Sequence, residues 1–117
     1  MLVELLFAHA VADFGLQSDT MAKLKSRRAD VKRGEECQWK FRDGKYQLTW
    51  MYWLTAHALI HGAMAFLFSG SMLAALIITA AHWVLDYCKT QDYWGIHIDQ
   101  GCHLLIILLC ALTEGNE

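Results

Sequence analysis

Apolar residues gather into four stretches, at about 2–17, 48–68, 71–89 and 95–112. A long polar segment, about 18–47, separates the first from the second, and tight turns at Gly70-Ser71 and Tyr93-Trp94-Gly95 separate the rest. The last three stretches match the roughly 20 residues that a helix needs to cross a bilayer. The first is interrupted by Glu4, His9 and Asp13 and crosses only with help from its adjoining polar residues or from local thinning. Backbone polar groups cannot be left open in hydrocarbon, so helices are expected and not buried strands. The pattern therefore predicts an all-α, polytopic transmembrane four-helix bundle, a single membrane domain over residues 1–117.

The polar residues inside these stretches are not scattered. Each stretch carries two ionisable residues four positions apart: His9/Asp13, His57/His61, His82/Asp86 and Asp99/His103. A spacing of four puts both members on one helix face, about one turn apart. Successive crossings alternate in direction, so the reversed order of the fourth pair restores its register. One layer then contains Asp13, His57, Asp86 and Asp99, and the next contains His9, His61, His82 and His103. His97 is two residues from Asp99 on another face, and Glu4 lies beyond the cluster, so neither is counted.

Composition sharpens the picture. The chain is 56 % hydrophobic and 19 % charged, has no proline, and is too short at 117 residues to hide several long apolar segments in one soluble core. Nine of its ten lysines and arginines lie between Lys23 and Lys45, and the tenth is Lys89. With positive loops retained inside, four crossings put both termini on the non-cytoplasmic side of the membrane and the metal site toward the cytosol. The first stretch lacks a basic n-region and is expected to be retained, not cleaved. Met21 to Val31 suits a basic helix lying on an anionic membrane surface, ended by Gly34, with a reversal at Asp43-Gly44 before the second span. Trp50, Tyr52, Trp53, Tyr87, Tyr93 and Trp94 suit an interfacial belt. The four cysteines contain no CxxC pair and are expected to be free thiols. Positive-inside topology accounts for the basic loop without nucleic acid, so the expected contacts are membrane lipids, with a second copy or a membrane protein as a further partner.

Imidazole and carboxylate together suit zinc, iron or manganese, and three aspartates inside a membrane need compensating positive charge. The predicted metal ligands are His9, Asp13, His57, His61, His82, Asp86, Asp99 and His103, holding one or two divalent ions, zinc first. Asp13, Asp86 and Asp99 are the candidate general bases of a metal-assisted hydrolysis near the membrane. Gln17 and Asp19 are candidate mouth residues, and Arg27, Arg28 and Lys89 candidate headgroup-binding residues. The competing accounts are a proton or metal-ion path, a hydrogen-bonded core, and a metal-stapled adaptor working through the basic loop.

The stretches LLFAHAVADFGLQSD, HALIHG, HWVLDYCK and IDQGCHLL resemble the small bacterial and phage membrane proteins grouped as the DUF3307 family, a domain of unknown function. The matching positions are His9, Asp13, Gln17, Asp19, His57, His82, Asp86, Asp99 and His103, with little of the loop from Lys32 to Tyr46 covered. A looser similarity to membrane-bound metal-dependent hydrolases implies a metal and, more faintly, hydrolysis.

Overall fold

The computed structural model describes residues 1–37 and 48–115. Among these residues six α-helices run in chain order: α1 (Leu2–Ala10), α2 (Asp19–Leu24), α3 (Arg27–Cys37), α4 (Trp50–Ser69), α5 (Met72–Thr90) and α6 (Ile96–Glu114). A five-residue π-helical turn, Val11–Gly15, continues α1. Local chemistry sets several ends. The Ser18 hydroxyl accepts from the Met21 N–H at 3.1 Å and starts α2, and the Ser71 hydroxyl accepts from Ala74 N–H at 3.0 Å and starts α5. Gly70 stops α4 in the left-handed region at φ 73°, where glycine carries no Cβ penalty.

Among the described residues three helices, α4, α5 and α6, are long and apolar enough to cross a membrane, and the chain is a multi-pass integral-membrane protein. The expected fourth crossing is corrected by this count. α1 ends after nine residues and the π-turn adds five, so the pair rises only about 20 Å against a hydrocarbon core of about 30 Å. Glu4, His9 and Asp13 lower its apolar content, and Ser18 begins a new helix just beyond Gly15. This first segment packs as a short fourth helix against α4 and α6. The assignment of both termini to the non-cytoplasmic side rested on four crossings and falls with it.

The polar segment also departs from expectation. A single helix over Met21–Val31 is replaced by two, broken at Lys25-Ser26, and α3 runs through buried Gly34 to Cys37. These helices dock on the bundle. Asp30 of α3 is wholly buried, and its Oδ2 accepts from the backbone N–H groups of Thr49 (2.6 Å) and Trp50 (2.8 Å), satisfying donors that a helix start leaves open. The exposed Arg28 pairs with Asp92, and the Ser26 hydroxyl donates to Thr90 O at 3.5 Å. The turn expected at Asp43-Gly44 lies outside the described residues. Trp50 is not a free interfacial residue: it is packed against Trp83 and Tyr87 of α5, whereas Tyr52 and Tyr93 are exposed. Cys88, Cys102 and Cys110 are free thiols.

α4 and α5 approach most closely at Gly62. A Cβ there would fall 1.9 Å from Thr79 Oγ1 and 3.0 Å from the Ala75 carbonyl, so only glycine admits this contact. Towards one end of the bundle the core is apolar, built from Leu5, Ala65, Ala74, Ile78, Ile107 and Cys110.

Candidate metal centre

Each helix delivers its polar pair on the face that meets the other three. One layer holds the rings of His9, His61, His82 and His103. The His61 and His82 rings stack at 3.5 Å between centroids, His82 and His103 at 4.3 Å, and His9 lies 5.2 Å from His61 and 5.3 Å from His103. One turn along, Asp13, His57, Asp86 and Asp99 form the neighbouring layer. The π-turn positions Asp13: the Leu16 N–H reaches back five residues to Val11 O at 2.9 Å, a wider turn of the kind that often marks functional sites. Burial opposes the Asp13 charge, but the neighbouring imidazoles of His57 and His61 more than offset it and hold the carboxyl well below the usual carboxylate range.

All five buried histidines present Nε2 to the interior. His57 Nε2 is 3.6 Å and His61 Nε2 3.1 Å from Asp13 Oδ1, and the Nε2 atoms of His57 and His82 face each other at 3.0 Å. Without an ion, that last pair requires one ring to donate and the other to accept. A tetrahedral ion with bonds of about 2.1 Å separates its ligand atoms by about 3.4 Å, close to these spacings. Among the described residues two groups have ligand atoms within 4.8 Å of one another: Asp13, His57, His61 and His82, and then His82, Asp86 and His103. His103 Nε2 supplies a further sign of fit. It lies 3.5 Å from Asp86 Oδ1 and 3.4 Å from Asp99 Oδ1 but is buried without a hydrogen-bond partner among the described residues. The cluster is thus capable of coordinating a divalent metal ion.

His9 and Asp99 sit beside these groups. His9 Nε2 contacts Gln100 Oε1 at 3.2 Å and Asp13 Oδ2 at 3.5 Å, and the Gln100 amide donates to Asp13 Oδ2 at 3.3 Å and Asp99 Oδ2 at 3.4 Å. Such contacts orient ligands without occupying the ion's own positions.

Lys25, one of the basic charges of the polar segment, joins the cluster, which spacing along the chain does not announce. Only 5 % exposed, it donates to Asp86 Oδ2 at 2.5 Å and to Gln17 Oε1 at 2.6 Å. A cavity of about 200 Å³ opens here, lined by Asp13, Gln17, Lys25, Asp86, Lys89 and Gln100 together with Phe14 and Ile96. Gln17 and Lys89 therefore lie at the mouth, while Asp19 is exposed in the first turn of α2 and makes no part of the lining. Lys89 Nζ is 3.6 Å from Asp99 Oδ2. Arg27 and Arg28 line a separate surface cavity of about 550 Å³ with Lys32 and Asp92. His97 is exposed and Glu4 is held by the amino terminus at 2.5 Å, both away from the cluster.

The chain belongs to the DUF3307 family, described as a protein of unknown function, which it matches over residues 1–116. No curated protein and no solved structure matches it.

Proposed function

We propose that this protein is a metal-dependent hydrolase of the bacterial inner membrane that acts on a membrane-near substrate, with zinc the first candidate ion and iron or manganese behind it. The observation that carries this reading is the asymmetry of the polar column. At one end it meets the apolar group of Leu5, Ile78 and Ile107, and at the other it opens into the cavity where Asp13 and Asp86 form part of the wall. A structural staple needs no such opening. A transport path needs polar lining at both ends, which the apolar group interrupts.

Asp13 and Asp86 are then the two carboxylates placed to take the proton from an attacking water as its oxygen bonds to the electrophilic centre. Asp99, the third candidate base, is wholly buried and outside the cavity lining, which suits it to orienting His103 and Lys89. A divalent ion held by the Nε2 and carboxylate groups would acidify the water and polarise the scissile bond. The leaving group departs with a proton, and Lys25, on the cavity wall, is within reach of that space. The test is protein purified in mild detergent without chelator, analysed for metal and assayed with ester and phosphoester probes. Hydrolysis that depends on the ion and is lost in Asp13→Asn is expected. A metal-loaded, monodisperse protein inert toward every probe class would overturn the enzyme reading and leave a structural metal.

A further inference from the structure

The mouth cavity does not stand alone. Beside it, along the outer face of α1 and the π-turn, runs an apolar groove of about 490 Å³ walled by Val3, Leu6, Phe7, Ala10, Val11 and Phe14. Phe14 lines both spaces and is 80 % exposed, so the polar mouth and the apolar groove meet at one side chain. The groove exists because the first segment is too short and too polar to be a full crossing, and its apolar side is left uncovered along the bundle.

We infer that the site's ligand is a phosphate-bearing lipid, its phosphate seated between Lys25 and Lys89 and its chain lying in the groove from Phe14 toward Val3. The inference rests on the metal-centre reading above, and charge explains why. Asp13 and Asp86 on the cavity wall and Asp99, buried behind it against Lys89, bring three negative charges to bear on the mouth, and Lys25 and Lys89 bring two positive ones. With neutral imidazoles, as metal ligation requires, the mouth is one negative charge in excess and repels an anion. One divalent ion reverses this to one positive charge in excess. The lysines are then released in part from their carboxylates, and ammonium groups beside a metal are suited to phosphate oxygens. A soluble phosphate would satisfy the lysines equally but gives the groove no occupant. An uncharged lipid would fill the groove but leave the lysines unanswered.

The experiment uses zinc-loaded full-length protein in mild detergent, titrated calorimetrically with a non-hydrolysable phosphonate analogue of dioctanoyl phosphatidic acid. Dioctanoylglycerol and methylphosphonate serve as the chain-only and headgroup-only probes, and bound zinc is measured in the same samples. The analogue is expected to bind at least about tenfold more tightly than either probe. Lys89→Gln should weaken both phosphonates, whereas Phe14→Ala, at an exposed position, should weaken the lipid analogue and leave methylphosphonate unchanged. Zinc retained with an analogue no tighter than methylphosphonate, or no tighter than dioctanoylglycerol, overturns the lipid-phosphate assignment while the hydrolase reading stands. Failure to retain any zinc after supplementation overturns the metal-centre reading and this inference together.

Discussion

A single turn of helix separates two very different regions of this bundle. Stepping by four from His9, His61, His82 and His103 in one direction leads to Leu5, Ala65, Ile78 and Ile107, and in the other to Asp13, His57, Asp86 and Asp99. The backbone geometry is shared, and only the side chains differ. Association at the apolar end comes from close packing, since lipid tails are as apolar as the residues themselves. The polar end gathers five imidazoles and three carboxylates where water is scarce, and its cohesion depends on compensating cations. Lys25 supplies one from outside the spans and Lys89 another from α5, and on the proposed reading a bound ion would supply the rest. Stability and chemistry are thus segregated along one axis, so the two ends should respond differently to the same kind of change.

The largest contrast is expected between His82→Ala and Ile107→Ala. His82 belongs to both ligand groups, so its loss should lower bound metal by tenfold or more, as measured by elemental analysis. Ile107→Ala opens a cavity in the apolar core, expected to cost about 2–4 kcal/mol of stability while metal content stays at the wild-type level. Loss of metal in both variants, at equal folded fraction, would erase the distinction between the ends.

Acid should divide them in the same way. Imidazole binds a metal only when deprotonated, so lowering the pH through the ordinary histidine range, about 6.5, is expected to release the ion. The stabilisation that added zinc provides at pH 8 should accordingly shrink toward zero at pH 5, read as the difference in thermal midpoint with and without metal. A zinc-dependent midpoint shift that is unchanged at pH 5 would place the ion on donors other than these histidines.

These expectations lean on features that differ in how visibly they are written in the chain. The four i, i+4 pairs were legible because helix periodicity alone brings them to one face, and alternating direction explains why Asp99 precedes His103. The crossing count differs because Leu2–Leu16 is mostly apolar along the chain, while its helical length is limited by a helix end at Ala10 and a π-turn that no local residue pattern announces. Lys25 and Asp30 were hidden for another reason. Both sit in a highly charged segment where solvent exposure is the ordinary outcome, and only tertiary docking brings Lys25 to Asp86 and sets Asp30 as a cap on α4. Gln100, adjacent to Asp99, falls outside the spacing of four and was equally silent.

Close packing and loop docking give two intermediate tests. Gly62→Ala forces a methyl group against Thr79 and the Ala75 carbonyl, an overpacking expected to cost about 1–3 kcal/mol, partly recovered by adding Thr79→Ala. Because Gly62 follows His61, metal affinity should fall with it, and a variant that unfolds more easily yet binds metal normally would show that packing and ligand placement are separable. Asp30→Ala leaves the Thr49 and Trp50 N–H groups without their carboxylate, at a cost of about 1–3 kcal/mol. Its expected signature is faster proteolysis within α2 and α3 with metal content retained, since Asp30 belongs to neither ligand group.

The smallest effect is expected at His97, and it is informative because it shares α6 with His103. His97 lies one and two-thirds turns from His103 along the same helix, has the same side chain, and is as close in sequence to Asp99 as any residue but its immediate neighbours. If metal content followed histidine number or mere proximity to Asp99, removing either histidine would lower it alike. The structure instead buries His103 beside Asp86 and Asp99 and leaves His97 exposed. His97→Ala should therefore change stability by no more than about 0.5 kcal/mol, the usual range for a surface substitution, with the full metal complement in elemental analysis. His103→Ala, measured alongside, should lose metal, since it removes one of the three donors of the His82, Asp86 and His103 group. Equal loss in the two variants would mean that the ion is held at the exposed start of α6, and not between the helices.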